Sequence, residues 1–181
     1  HHLTMNKQYY RGKIAVITGG SSGIGLALAK LLRMQGATLV LIARDQQKLD
    51  AASQLLLAIS GNGAPVDTFA ADVSHAKEMR DTMTAIGRHY GKIDLLVNSA
   101  GIPGCGRFAA QTPEDMEQCM HTNYFGAVYA SQAAWPLLKA AGGHHITSHV
   151  TYDESLPPDL CEQAAVPLGL LPDIAGPLCI G

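Results

Sequence analysis

Short apolar runs alternate along the chain with longer segments whose apolar residues recur every three or four positions. The short runs have the length and β-branched content of buried strands, and the longer segments have the period of amphipathic helices. This alternation predicts an α/β protein, a doubly wound parallel sheet with helices on both faces in three layers. The predicted strands are residues 13–18, 38–43, 65–73, 92–101 and 144–151.

Polar residues and glycines mark where the predicted helices begin and end. Asp45 can cap the second helix, because its carboxylate can accept N–H groups of the first turn. The segment Thr-Pro-Glu-Asp at 112–115 predicts another start, with a capping threonine, a proline in the first position and early acids. The long predicted helices cover 23–36, 45–59, 74–91 and 124–143, and Gly36 ends the first.

Composition limits the classes of function. The chain has 181 residues, of which 47% are hydrophobic, so a single domain can bury a core. A net charge of -2 argues against a nucleic-acid partner and favours a small-molecule substrate. No apolar run approaches the roughly 20 residues of a membrane span. The cysteines are dispersed, which favours reduced thiols and a cytoplasmic location: Cys105, Cys119, Cys161 and Cys179.

Composition also divides the chain into three parts. Residues 1–10 begin with two histidines and are interpreted as a tag remnant or N-terminal extension. Residues 11–151 carry the strand and helix pattern. Residues 152–181 form an atypical tail, because five of the nine prolines lie in the last 25 residues and no Lys or Arg follows Lys139.

A glycine-rich segment, Thr-Gly-Gly-Ser-Ser-Gly-Ile-Gly at 18–25, joins the first strand to the first helix. Backbone N–H groups and the helix dipole at such a junction can hold a pyrophosphate. Glycines allow the tight turn, the approach of a phosphate and the close packing of helix on strand. The candidate cofactor-binding residues here are Gly19, Ser21, Ser22, Gly23, Ile24 and Gly25.

Two alternatives stay open for this segment. It also satisfies Gly-x-Ser-x-Gly, the strand-turn-helix elbow of serine hydrolases, which would make Ser21 a nucleophile. Only about 18 residues precede it, which leaves little chain for the oxyanion loop that such an elbow needs. A glycine-rich turn that binds no ligand is the second alternative.

Four motifs in order resemble the short-chain dehydrogenase/reductase family: the segment 18–25, Ala-Asp-Val at 71–73, Asn-Ser-Ala-Gly at 98–101 and Thr-Asn-Tyr-Phe-Gly-Ala-Val-Tyr at 122–129. The resemblance covers about residues 11–146 and implies a Rossmann-type fold. It also implies NADPH-dependent hydride transfer to a ketone or aldehyde. By resemblance, Asn123 supports a water-mediated proton relay, Asp72 contacts the adenine, and Asn98, Ala100 and Gly101 wall the adenosine side. Val73 is a further candidate cofactor-binding residue.

The end of the second strand bears on the choice of cofactor. NAD-specific sites place an acid there for the ribose 2′-OH, whereas a 2′-phosphate needs a guanidinium. Here Ala43 and Arg44 occupy the strand end, with Asp45 next. The pair resembles members that prefer NADP(H), so NAD(H) is the less favoured cofactor. Within the family the chain is most similar to 3-ketodihydrosphingosine reductases, which reduce a ketone on a long acyl-chain amine.

The resemblance fails where the family places its Ser, Tyr and Lys. A catalytic tyrosine needs a nearby cation to lower its pKa from about 10. Thr151 lies where the serine belongs, but no Tyr-x-x-x-Lys follows it. The literal match Tyr9 to Lys13 precedes the first strand and is interpreted as chance. A shifted coding frame near 142–149 is our hypothesis for this change; a natural remnant and a misassigned sequence are the others.

The alternative function is therefore a truncated, catalytically inactive module for NADP(H) binding or oligomerisation, whose last strands are missing or altered. His144, His145 and His149 form a cluster without acidic or cysteine ligands, and we expect no metal there. The aromatic residues Tyr124, Phe125, Tyr129 and Trp135 on the long helix are either core or a surface that pairs copies in a homo-dimer or tetramer.

Overall fold

Five parallel strands form one sheet in the computed structural model, which describes residues 9–59, 63–103 and 108–147. The sheet order is β3-β2-β1-β4-β5. The chain adds β2 and β3 on one side of β1, and then crosses over to add β4 and β5 on the other side. This confirms the predicted parallel α/β fold. The strands are β1 (Ile14–Thr18), β2 (Thr38–Ala43), β3 (Val66–Ala70), β4 (Leu95–Asn98) and β5 (His144–Thr147).

Among the described residues, five α-helices follow the strands and begin and end close to the predicted signals. Asp45 caps the second helix by accepting the Lys48 N–H at 3.1 Å. Thr112 caps the fourth helix as predicted, with Pro113 in the first position, and the structure adds a reciprocal bond from Asp115 that completes a capping box. The helices are α1 (Gly23–Met34), α2 (Gln46–Ala58), α3 (Ala76–Tyr90), α4 (Pro113–Cys119) and α5 (Gly126–Ala141).

A π-helical segment, Met120–Phe125, joins α4 to α5 and was not predicted. The spacing of apolar residues predicts that a segment is helical and which face is buried. It does not distinguish a single π-helical turn from an α-helical one, because the two differ in their hydrogen-bond partners. The wider turn carries Asn123, which the resemblance places in the site. π-helical turns occur often at functional sites.

Strand side chains alternate between two apolar layers. On one face Ala15, Ile17, Leu39 and Leu41 pack against α1 and α2. On the other face a second set packs against α3 and α5: Ile14, Val16, Val40, Ile42 and Leu96. Because side chains of a strand alternate with period two, helices on both faces require strands that are apolar throughout. The central strands β1 and β4 are buried at every position, which fixes the sheet beneath the site.

Arg33 is a buried cation in this core, with 3% of its surface exposed. Its Nε donates to the Leu56 carbonyl oxygen at 3.2 Å, and its Nη1 donates to the Ala64 carbonyl oxygen. The Leu56 carbonyl oxygen lies in the last turn of α2 and also accepts the Ile59 N–H at 3.2 Å, so the guanidinium is its second donor and suits the negative end of the helix dipole. Arg33 thus joins the end of α1 to the end of α2.

Several predictions fall on residues outside the described ranges. They concern the end of the fifth predicted strand, Thr151, His149 and the tail 152–181. Within the described ranges no helix is both long and apolar enough to cross a membrane.

Candidate active site at the carboxyl ends of the strands

The predicted site residues that lie in the described ranges gather at the carboxyl edge of the sheet. Thr18 at the end of β1 lies opposite Ile42 of β2 and Asn98 of β4 in the strand register. The connections after β1 and β4 leave to opposite faces of the sheet, because α1 packs on one face and α5 on the other. A crevice at such a reversal is where doubly wound sheets bind ligands.

The glycine turn after β1 is packed too closely to hold a side chain at Gly19 or at Gly25. Gly19 has φ of 68°, and its N–H donates to the Ile42 carbonyl oxygen at 2.8 Å. A Cβ on Gly19 would lie 2.7 Å from the Ala100 Cα, and a Cβ on Gly25 would lie 2.4 Å from the Gly19 carbonyl oxygen. Both clashes are with backbone, so neither neighbour can rotate away. The turn therefore brings α1 against β1 and against the residues that follow β4.

Space and donors remain at the start of α1. A Cβ on Gly23, whose φ is 51°, would meet no atom within 4 Å. Ser22 precedes the helix with extended backbone, and its side chain caps no N–H group. The first turn of the helix contains no acidic residue. Free N–H groups, a positive dipole end and open space fit the pyrophosphate of a dinucleotide. The residues of this turn are therefore suited to hold the phosphates of a cofactor.

Thr18 links the two halves of the site, although the sequence alone did not single it out. Its hydroxyl oxygen accepts the N–H groups of Ser99 and Ala100 at 3.2 and 3.3 Å, and donates to the Val97 carbonyl oxygen at 3.5 Å. Thr18 is 1% exposed. A polar residue at the end of an otherwise apolar strand was the available signal.

Asn98 is buried beneath the site, with 3% of its surface exposed, so its side chain does not line the open crevice. Its side-chain nitrogen donates to Ser131 Oγ at 2.9 Å and to Thr147 Oγ1 at 3.4 Å. These bonds tie the end of β4 to α5 and to β5. Ala100 and Gly101 extend from the strand toward the glycine turn and the π-helical segment; Ser99 and Ala100 are half-buried, and Gly101 is exposed.

Asp72 forms a tight turn after β3. Its Oδ1 accepts the backbone N–H and the hydroxyl of Ser74 at 2.9 and 2.7 Å. Burial raises the pKa of the Asp72 carboxyl, but the Ser74 bonds and the charges of Arg44 and His75 outweigh burial, so the net shift is downward. Asp72 is thus ionised near neutral pH. Ser74 is a second residue whose part in the site was not predicted.

The neighbours of Asp72 set its position and the local charge. Arg44 follows β2, is exposed, and lies close enough for its charge to act on Asp72. Val73 is 5% exposed, and a Cβ on Gly126 would come within 2.7 Å of its Cγ2 atom. Val73 therefore anchors the turn on α5. Val73 is buried and Arg44 faces solvent, so of the two only Arg44 offers its side chain to a ligand in this structure.

Asn123 lies on the π-helical segment, and its side chain both accepts a hydrogen bond from Ile102 and donates one to it. Its Oδ1 accepts the Ile102 N–H at 2.8 Å, and its Nδ2 donates to the Ile102 carbonyl oxygen at 2.9 Å. A Cβ on Gly101 would lie 3.3 Å from the same Oδ1. The side chain therefore holds the segment after β4 in place. The predicted proton relay through Asn123 stays a prediction.

Other sequence candidates lie apart from this crevice. Lys13 Nζ lies 3.5 Å from the centre of the Tyr9 ring, before β1 and thus at the amino end of the sheet. Ser21 has no hydrogen bond to a histidine in the described part of the chain, so the hydrolase alternative gains no support. His144 and His145 are exposed on β5.

An open cleft of about 380 Å³ lies between α5 and β5. Tyr124, Ala127 and Ser131 line one wall, and His145 and Thr147 line the other. Tyr124 and Trp135 are 51% and 60% exposed, so they do not belong to the core. Phe125 stacks on Tyr129, which packs partly against the core, with ring centres 5.9 Å apart.

Known proteins share this pattern of sequence and fold. The family model described as short chain dehydrogenase matches residues 13–150. An uncharacterized oxidoreductase of Staphylococcus epidermidis is 38% identical over 135 residues, which are 74% of this chain and 56% of that protein. 11-beta-hydroxysteroid dehydrogenase 1A of Arabidopsis thaliana is 36% identical over 136 residues, covering 73% of this chain and 38% of that protein. The chain thus spans about half the length, or less, of these curated relatives.

Solved structures agree with the sequence matches. L-sorbose reductase from Gluconobacter frateurii, complexed with NADPH and L-sorbose, superposes with a TM-score of 0.72 and 31% identity, over 78% of this chain and 53% of that chain. A metagenomic short-chain oxidoreductase in complex with NADP superposes with a TM-score of 0.69 and 33% identity, over 76% and 61%.

Proposed function

The chain belongs to the short-chain dehydrogenase/reductase family of oxidoreductases, and from that premise we propose that it binds NADP(H) at the glycine turn. In the family function that we propose for the whole protein, a bound NADPH supplies a hydride to a ketone or aldehyde. The subfamily resemblance makes long-chain 3-ketones the first substrates to try.

The observation that carries this proposal is the cradle at the start of α1. Gly19 and Gly25 leave no room for a Cβ against the backbone, whereas Gly23 faces open space. A plain turn needs a glycine only where φ is positive, but Gly25 lies within α1 and carries no positive φ. The tight packing at Gly25 brings the first turn of the helix to the carboxyl edge of β1. A helix start placed there is suited to an anionic phosphate.

Preference for the 2′-phosphate is supported by the residues after β2. Arg44 is exposed and its charge acts on Asp72, so both lie at one corner of the crevice. Asp45 is the acid that would favour NAD, but its carboxylate caps α2 through Lys48. Two structural neighbours are NADP(H) complexes, which agrees with a guanidinium at this corner.

Efficient turnover is not part of this proposal for residues 1–181. General acid catalysis by a tyrosine requires the phenol and a cation that tunes it. Among these 181 residues Tyr152 is the last tyrosine, and no lysine follows Lys139. We therefore propose cofactor binding without efficient ketone reduction by this chain, and we assign Asn123 and Thr151 only supporting parts.

Association of copies is a second part of the proposal. The exposed aromatic residues are Tyr124 on the π-helical segment and Trp135 on α5, where they can pack against the same segments of another copy in a homo-dimer or tetramer. The dispersed cysteines, of which Cys119 is a free thiol, agree with a cytoplasmic location.

The test is a fluorescence titration of the protein with NADPH and with NADH. We expect NADPH to bind more tightly by about tenfold or more, because a bidentate guanidinium contact to phosphate is lost with NADH. Arg44→Ala should remove the difference, whereas Arg88→Ala, an exposed arginine at the end of α3, should keep it. Equal affinities for NADPH and NADH in the unmutated protein would contradict the NADP assignment, and no binding of either would contradict the function.

A further inference from the structure

Glu78 reaches back from the first turn of α3 to the turn after β3. Its Oε2 accepts the backbone N–H of Asp72 at 2.7 Å, and its Oε1 lies 3.0 Å from Nδ1 of His75. A glutamate three residues into a helix commonly bonds the N–H of the capping residue itself. Here the cap is His75, which makes no side-chain cap bond, and Glu78 bonds a residue three positions earlier.

Three of the four polar groups of Asp72, its N–H, its carbonyl oxygen and Oδ1, are hydrogen-bonded. Its N–H is held by Glu78, its carbonyl oxygen accepts the His75 N–H at 3.1 Å, and its Oδ1 is held by Ser74. Its Oδ2 takes part in none of the hydrogen bonds among the described residues. The turn thus fixes one carboxylate oxygen with a defined direction toward solvent.

Among these bonds only the one from Glu78 comes from outside the turn. Ser74 and His75 belong to the turn and move with it, whereas Glu78 is part of α3, whose inner side is fixed by the buried Met79 and Met83. Val73 anchors the turn separately on α5. Loss of the Glu78 carboxylate therefore leaves the fold anchored but frees the orientation of Asp72.

We propose that Glu78 is a positioning residue for the adenosine end of the cofactor site, acting through the backbone N–H of Asp72. The inference rests on the proposed NADP(H) binding. It makes affinity for the adenosine half of the cofactor depend on Glu78, and leaves affinity at the glycine turn unchanged.

The test uses three variants of the chain and two probes. The probe 2′,5′-ADP carries adenine and the 2′-phosphate, and inorganic pyrophosphate reports on the glycine turn. Both are titrated by NMR, following the backbone N–H signals of Asp72 and of residues 19–25. Glu78→Ala removes the acceptor, and Glu78→Gln keeps an oxygen that accepts the Asp72 N–H. Asp81→Ala is the matched control, because it removes a carboxylate one turn further along α3, where it pairs with Lys77 at the surface.

We expect Glu78→Ala to weaken 2′,5′-ADP by about 3- to 10-fold, since one hydrogen bond to a charged, half-exposed group is lost. Glu78→Gln should restore most of the affinity, and Asp81→Ala should stay within about twofold of the unmutated protein. Pyrophosphate affinity should be unchanged in all three.

Several results would overturn the inference. Unchanged 2′,5′-ADP affinity in Glu78→Ala, no rescue by Gln, or an equal loss for pyrophosphate would each show that Glu78 acts otherwise. Failure of the unmutated protein to bind either probe or NADPH is a different result, because it removes the proposed function together with the inference.

Discussion

Gly25 lies so close to Gly19 that a Cβ added to Gly25 would be 2.4 Å from the Gly19 carbonyl oxygen. The contact joins the first turn of α1 to the end of β1, the two elements whose junction forms the candidate cofactor site. The Gly19 carbonyl oxygen is a backbone atom and cannot rotate away. A side chain at position 25 must therefore displace the helix from the strand.

Gly25→Ala should therefore reduce NADPH affinity by at least about tenfold and lower the free energy of unfolding by roughly 1–3 kcal/mol. The measurements are a fluorescence titration and urea unfolding. Unchanged affinity in a folded Gly25→Ala protein would show that the cofactor does not bind against this turn.

Gly23 and Gly91 form a matched pair that separates backbone strain from loss of space. Both have positive φ and open space around an added Cβ, but Gly91 ends α3, away from the crevice. Alanine at either position should cost about 1–2 kcal/mol of unfolding free energy, the strain of a left-handed backbone. Only Gly23→Ala should also weaken NADPH, since its Cβ enters the space before α1. Equal NADPH affinity in the two variants would contradict this assignment.

Thr18 provides a test of how the two halves of the site are joined. Thr18→Val keeps the shape of the side chain but leaves the Ala100 N–H without its hydroxyl acceptor, whereas the Ser99 N–H keeps the Thr18 carbonyl oxygen at 3.2 Å. We expect a loss of roughly 1–3 kcal/mol in unfolding free energy and weaker NADPH binding. Thr18→Ser retains the oxygen and should stay close to the unmutated protein in both measurements. Equal damage in the two variants would show that the methyl group matters as much as the hydroxyl, and an undamaged Thr18→Val protein would contradict the role of the hydroxyl.

We expect the carboxyl group of Asp72 to make a contribution to the free energy of unfolding that depends on pH. Its pKa in the folded protein is lowered below the unfolded value of about 3.9, mainly through Ser74 once the opposing effect of burial is overcome. A lowered folded pKa adds stability above the unfolded pKa, and this stability is lost as pH falls through the folded pKa. Ser74→Ala should raise the Asp72 pKa toward its usual value.

Titration of the Asp72 carboxyl by carbon-13 NMR, with urea unfolding at pH 7 and pH 3, measures this effect. The difference in stability between the unmutated protein and Ser74→Ala should be larger at pH 7 than at pH 3. An equal difference at both pH values would show that Ser74 acts only through neutral hydrogen bonds, not through the charge of Asp72.

Local patterns in the sequence were sufficient for the sheet and for most helix boundaries. The central strands contain the continuous apolar runs Ile14–Ile17, Leu39–Ala43 and Leu95–Val97 because helices cover both faces, and this leaves a signal within a few neighbouring residues. Asp45 and Thr112 cap helices through bonds to residues three positions away, so their sequence context also reveals them.

Residues whose partners lie far along the chain could not be predicted in this way. Arg33 is buried although arginine is usually exposed, because its carbonyl partners at Leu56 and Ala64 come from another helix and the segment after it. The π-helical turn at Met120–Phe125 differs from an α-helix only in its hydrogen bonds, which apolar periodicity does not report.

The sequence by itself determined the order of strands and helices, the glycine turn, and the family that this order and its motifs indicate, because each depends on residues adjacent in the chain. Only the tertiary structure decided which side chains serve the site openly and which support it from beneath. Thr18 and Asn98 support it through bonds to residues 33 to 82 positions away. Such contacts arise when parallel strands bring distant segments to one edge of the sheet, and no local pattern records them.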